Sequence, residues 1–367
     1  CFSKLQPSSE HWRVGLPIKT TQQFISRAAL VLVALVSNCG AFSPLSSVRS
    51  VHSELTDDKS CAVGGMSTRV AAAAPKVVRK VIPAPRPHWV GNAFHVYPVF
   101  GSMAFTEEVS PWLMFDYAAP KQFEAGKTRR GVGQHPHRGF ETITIAFQGE
   151  VEHRDSVGNH DVIGPGDVQW MTAAKGIIHE EYHSEKFTAK GGTFEMCQLW
   201  LNLPAKHKMD APRYQPILAK QIQPVPLSSD GSDDGVVKVI AGEFRGVKGP
   251  AKTFSPVDLW SVEVKTLGKA FELEIAEGHN VVVFVRSGAV RVGAEGQEKA
   301  LGPAATALMM REGTTLRLSA TEDNTKVLIL SGQPLDEPIA AQGPFVMNTM
   351  DEIRQANADF RSGKLGR

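Results

Sequence analysis

The feature that most restricts the fold of this chain is an internal repeat. Gln148-Gly149-Glu150-Val151 is echoed by Ser287-Gly288-Ala289-Val290, and each is followed after a similar gap by a Gly-Pro turn, Gly164-Pro165 and Gly302-Pro303. Asp167–Met171 then corresponds to Ala305–Met309. A pattern written twice at this spacing means two copies of one supersecondary unit. The unit is made of strands. From His88 onward short apolar clusters alternate with turn residues, as in all-β proteins. Candidate strands are Phe94–Phe100, Trp112–Tyr117, Thr142–Phe147, Val151–Arg154, Asp167–Met171 and Phe194–Leu203, with turns at Val157-Gly158-Asn159 and Gly164-Pro165-Gly166-Asp167.

This divides the chain into a leader over residues 1–80, a first β domain over 81–220 and a second over 236–360. Pro83, Pro85 and Pro87 give an extended lead-in, and the polar stretch Lys220–Gly235 reads as a linker. Near the end, Ile353, Ala356 and Phe360 have helical spacing behind the cap candidates Asn348 and Thr349, which predicts a short helix over Met350–Phe360.

The leader differs in charge from the rest. Residues 1–80 hold ten Lys/Arg against four Asp/Glu, leaving 30 against 34 for the remainder. The folded part is therefore mildly acidic, which argues against a nucleic-acid surface. Only Cys197 lies beyond the leader, so that part has neither a disulfide framework nor a thiolate zinc site. Arg27 precedes the apolar run Ala28–Val36, which is too short for a membrane span of about 20 residues but suits a signal-peptide core. With the Ser-rich, Arg-containing stretch beyond Phe42, it resembles the two-part plastid leader of algae with secondary plastids. The alternative is translation from Met66 and a cytoplasmic protein.

The chemistry lies in the first copy. Of twelve histidines, His135, His137, His153, His160, His179 and His183 fall between positions 135 and 183. On a strand, residues of equal parity share a face, so His135, His137 and Glu141 point together unless Pro136 or Gly139 breaks the parity. His179 and Glu181 form a second such pair, and Glu180 then faces away. His183 competes as a ligand if the strand runs through Tyr182. His153 and His160 flank a turn and are expected in solvent. Two pairs on neighbouring strands can meet at one ion. Three imidazoles and a carboxylate leave open positions on a six-coordinate metal, a donor set that suits Fe and also Mn, Ni, Cu or Zn. Carrying the repeat outward places Glu274, Ala276 and Asn280 opposite His135, His137 and Glu141, and Arg317 and Ser319 near His179 and Glu181. The second copy keeps the scaffold without the ligands.

The sequence resembles the pirin family of the cupin superfamily. The resemblance rests on His88-Trp89-Val90-Gly91, His135-Pro136-His137-Arg138-Gly139-Phe140-Glu141-Thr142 and Gly164-Pro165-Gly166-Asp167-Val168-Gln169-Trp170-Met171-Thr172-Ala173. It continues through Gly176-Ile177-Ile178-His179, Gln198-Leu199-Trp200-Leu201-Asn202-Leu203-Pro204 and Gly343-Pro344-Phe345-Val346-Met347-Asn348-Thr349, spanning about residues 85–360. It implies an all-β fold of two cupin jelly-roll barrels in tandem with a short C-terminal helix. It implies one iron, Fe(II) or Fe(III), in the first barrel on His135, His137, His179 and Glu181, with Glu141 as support. Other divalent transition metals remain open. Where family members commonly have a small residue and then Glu-Met after the third histidine, this chain has Glu180-Glu181-Tyr182.

Two functions are consistent with that resemblance. Some pirins are similar to quercetinases, which open flavonols with O2 and release carbon monoxide. Glu181 would then be the catalytic base and Arg138 would draw the anionic substrate to the barrel mouth. Others resemble iron- or redox-dependent co-regulators that bind a protein partner without turnover. A stress protein and another kind of cupin enzyme, an isomerase or a thiol dioxygenase, are further alternatives. A monomer is expected, with no nucleic-acid or membrane partner.

Overall fold

The computed structural model describes residues 74–101 and 106–366; most of the leader lies outside the described residues. The rest is two β barrels of matching plan, each a seven-stranded sheet facing a four-stranded one. In the first, the larger sheet runs Arg213–Ile217, Val168–Thr172, Phe140–Gln148, Gly192–Asn202, Trp112–Phe123, Phe94–Phe100 and His88–Val90. Its smaller sheet runs Gly131–His137, Ile177–His183, Val151–Asp155 and His160–Ile163. In the second, the larger sheet runs Val78–Ile82, Thr306–Met309, Asn280–Ser287, Thr325–Gly332, Val257–Val264, Gly235–Ala241 and Pro224–Pro226. The smaller runs Ala270–Glu274, Thr315–Ala320, Val290–Val292 and Lys299–Leu301.

The chain crosses between barrels in a way its local pattern does not announce. Val78–Ile82, at the expected border of leader and first domain, pairs with Thr306–Met309 of the second barrel. Arg213–Ile217 closes the equivalent edge of the first by pairing with Val168–Thr172. Covering both edges leaves fewer unpaired backbone groups for association.

The two larger sheets pack against each other. Phe100, Phe115, Ile143 and Trp170 share one buried cluster with Ile240, Leu259, Phe284 and Leu328. This explains the unbroken apolar run Val281–Val285, all five residues buried: one face looks into its own barrel and the other toward its neighbour. Arg286 pairs with Glu195 at 2.7 Å, and Tyr117 donates to the same carboxylate at 2.7 Å.

The expected helix forms at Met350–Arg361, with Thr349 as N-cap and Glu352 completing a capping box. Ile353 and Ala356 are buried, but Phe360 is 42% exposed, because the helix rests on a narrow stripe. The segment before it docks on the first barrel: Val346 packs with Leu113 and Phe140. Among the described residues no helix is long and apolar enough to cross a membrane.

Candidate metal centre

Gly131–His137 and Ile177–His183 lie antiparallel, with His179 opposite His135 and Ile177 opposite His137. The alternating burial of the second strand sends His179, Glu181 and His183 into the barrel. Ring centroids of His135, His137 and His179 are 4.8, 4.2 and 4.8 Å apart, and one nitrogen from each lies within 4.8 Å of the others.

The hydrogen bonds show which nitrogens are available. His135 Nδ1 faces the Gly133 carbonyl at 2.8 Å, leaving Nε2. His137 Nδ1 and His179 Nε2 are buried without a partner, a costly state unless something binds there. Burial, reinforced by the neighbouring His135, pushes the His137 pKa down to about 3. Burial, with His137, His135 and His153 nearby, holds His179 well below the usual range. Both are neutral imidazoles, the form that binds metals. Orphaned lone pairs converging in one place fit a metal ion.

Glu181 joins this group from the side. A carboxylate oxygen of Glu181 lies within 4.8 Å of nitrogens of His179 and His153 rather than completing the three-histidine set. Its Oε1 accepts from Thr144 Oγ1 and Gln169 Nε2, each at 3.0 Å. The Thr144 hydroxyl has one proton and also lies 2.7 Å from Gln198 Oε1, so two acceptors compete for it. Glu181, His135 and His137 line one cavity of about 290 Å³, walled by Val90, Phe94, Val132, Met196, Trp200 and Pro344. Asp116 and Gln198 are its other polar wall residues, and burial pushes the Asp116 carboxyl up to about 6.

Other expectations are corrected. Glu141 does not share a face with the two histidines. At Arg138-Gly139 the chain leaves the smaller sheet for the larger, and Glu141 takes a 2.6 Å hydrogen bond from Thr172 and lies 3.7 Å from Arg213. Gly139 permits the turn: its φ is +89°, and a Cβ there would lie 1.9 Å from the Val346 carbonyl oxygen. Arg138 is no anion lure. It is 5% exposed, donating to the Lys175 carbonyl at 2.6 Å and pairing with Asp359 at 2.8 Å. His160 is exposed as expected, but His153 is fully buried, because its strand pairs with Ile177–His183 and sets it opposite Glu181. Its parity with buried Val151 was the signal. His183 is buried too, but sits among Phe94, Phe123, Phe187 and Phe194, apart from the ligand group.

The repeat is also shifted by one residue on the smaller sheet. Val292 pairs with Leu318 as His153 pairs with Glu181, which makes Leu318 the counterpart of Glu181 and Leu316 that of His179. Leu316 pairs with Leu273, the counterpart of His135, and Ile275 follows as that of His137. Arg317 and Glu274 lie on the opposite face. By the same pairing Thr144, Gln169 and Gln198 correspond to Val283, Ala307 and Ile329.

Residues 93–201 match the family model for Pirin, and residues 260–366 match that for the Pirin C-terminal cupin domain. A Pseudomonas aeruginosa protein provisionally named quercetin 2,3-dioxygenase is 50% identical over 278 residues, covering 76% of this chain and 94% of that one. Mouse pirin is 36% identical over 263 residues, covering 71% and 84%. The crystal structure of a quercetin 2,3-dioxygenase from Acinetobacter baumannii matches with a TM-score of 0.75 at 47% identity, covering 80% of this chain and 99% of that one.

Proposed function

This chain belongs to the pirin family of two-barrel cupin proteins, and on that premise we propose that its first barrel is an iron-dependent oxygenase site for a flavonol-type aromatic substrate. The observation that carries the proposal is the group of three imidazoles, two of them with an orphaned buried nitrogen, beside Glu181 at the wall of an apolar cavity. His135, His137, His179 and Glu181 would hold the ion. When bound, it supplies Lewis acidity and one-electron chemistry toward O2.

The chain's own residues do the rest. Val90, Phe94, Met196 and Trp200 give the cavity apolar walls against which aromatic rings can pack. Glu181 would take the substrate's hydroxyl proton. Both of its hydrogen bonds fall on Oε1, so Oε2 accepts none among the described residues. Once Glu181 carries the proton it needs less donation, and Thr144 can turn its hydroxyl to Gln198. Asp116 and Gln198, the other polar groups of the cavity wall, offer hydrogen-bond partners to the substrate's oxygens.

Aerobic incubation of the Fe(II)-loaded protein with quercetin, following flavonol absorbance and O2 uptake, tests this. Turnover is expected, with Glu181→Gln lowering kcat by about 10²- to 10⁴-fold. A fully loaded protein that leaves quercetin intact removes the oxygenase reading and leaves the iron-dependent interaction protein, which needs the same ligands.

A further inference from the structure

Behind His179 lies a buried chain of groups that the proposed reaction does not use. His153 Nδ1 faces His179 Nδ1 at 3.4 Å, and His153 Nε2 lies 3.1 Å from Asp155 Oδ2. The side chains of His153 and Asp155 are both fully buried. Asp155 Oδ1 accepts from the backbone N–H groups of Val157 and Asn159, at 3.0 Å each, and Oδ2 also accepts from Asn159 Nδ2 at 2.8 Å. Tyr214, on the edge strand Arg213–Ile217, stacks on the His153 ring at 4.9 Å and 23°, which fixes the ring plane.

We infer that His153, held by Asp155, is a positioning residue that sets the tautomer of His179 and so presents its Nε2 lone pair to a metal. The inference rests on the metal-site reading above. Its logic is donor and acceptor counting. An ionised carboxylate only accepts, so the nitrogen of His153 that faces Asp155 must carry a proton. Burial opposes the charge on Asp155, but hydrogen bonds from His153 and Asn159 outweigh it and hold the carboxyl below its usual range. With its proton on the nitrogen that faces Asp155, His153 offers the Nδ1 lone pair, and the His179 Nδ1 facing it must donate. The one nitrogen left to His179 is Nε2, deprotonated, buried and without a partner. Metal-bound histidines commonly give their second N–H to a carboxylate or carbonyl; here an imidazole is interposed, and the carboxylate acts one residue further back.

Three variants and two measurements on unaltered protein test the assignment. His153→Phe removes the acceptor, and Asp155→Asn puts an amide donor where His153 Nε2 points, pushing the His153 proton onto Nδ1. Each should weaken Co(II) binding by about 10- to 100-fold, measured by competition with a chromophoric chelator, and alter the Co(II) visible spectrum. His153→Gln keeps a carbonyl acceptor and should recover most of the loss. In wild-type protein, ¹⁵N-histidine NMR should place protons on His153 Nε2 and His179 Nδ1, with or without zinc. A proton on His153 Nδ1 overturns the inference, as do His153→Phe and Asp155→Asn variants that bind Co(II) like wild type with an unchanged spectrum. Coupling of His153 Nδ1 to bound ¹¹³Cd also overturns it, by making His153 a ligand. Wild-type protein with the expected tautomers that binds no metal refutes the metal reading instead and leaves the hydrogen-bonded chain standing.

Discussion

The two barrels share strand order and register but have opposite interiors. Where the first has His135, His137, His179 and Glu181, the second has Leu273, Ile275, Leu316 and Leu318, all within its apolar cluster. Where the first has Thr144, Gln169 and Gln198 around Glu181, the second has Val283, Ala307 and Ile329. The second barrel shows that this scaffold closes well on hydrocarbon alone. The polar set in the first is therefore not needed to build the fold. Each buried polar group costs free energy unless it is partnered, so the set makes sense as a binding site and not as scaffolding.

The comparison can be broken from either side. The largest effect is expected where the second barrel is given the first barrel's acid. Leu318→Glu buries a carboxylate with no cation or donor network, and should destabilise the protein by about 3–5 kcal/mol in urea denaturation; a neutral outcome would mean that interior is wetter than its packing shows. The reverse exchange, His179→Leu, should cut metal affinity by more than about 100-fold. It removes the orphaned Nε2 but also the Nδ1–H that faces buried His153, so the two effects should largely cancel in the thermal stability of the metal-free protein. Unchanged affinity would exclude His179 as a ligand.

A smaller effect tests how the first barrel's ligand loop is held. Lys208 Nζ donates to the carbonyls of Gly139 and Val346 and to Asn202 Oδ1 at 2.7, 3.0 and 2.6 Å, tying the loop to the C-terminal segment. Burial pushes its pKa down to about 7, with Glu337 and Glu352 opposing. The folded state therefore binds fewer protons than the unfolded state between about pH 7 and the ordinary lysine pKa near 10.4. Stability should rise with pH across that window. A shift of that size corresponds to about 4–5 kcal/mol at most, and the three oxygen acceptors, which favour the ammonium form, keep the rise below that. Lys208→Met should flatten it; a slope that survives the substitution belongs to another group.

Much of this was legible locally. Strand alternation and the Gly-Pro turns located most strands of the first barrel, and the His-x-His and His-x-Glu spacings picked out side chains that come together inside it, because period-2 parity is a property of the strand itself. What failed depended on distant parts of the chain. Arg138 looked like a free cation at a turn, but its partner Asp359 lies 221 residues away. His153 looked solvated beside its turn, and only the neighbouring strand turns it inward. Val78–Ile82 gave no sign that it completes the second barrel. The one-residue slip in the repeat arose because a strand offers two registers, and hydrophobic replacements at ligand positions are easy to overlook when polar residues are sought.

The most direct test of the central claim is anomalous diffraction at the iron edge from crystals of the Fe(II)-loaded protein. One ion per chain is predicted, bound by nitrogens of His135, His137 and His179 and by a Glu181 oxygen, with no anomalous peak in the second barrel. An ion bound by His153 in place of His135, or no ion between these strands in protein that carries iron, would contradict the account.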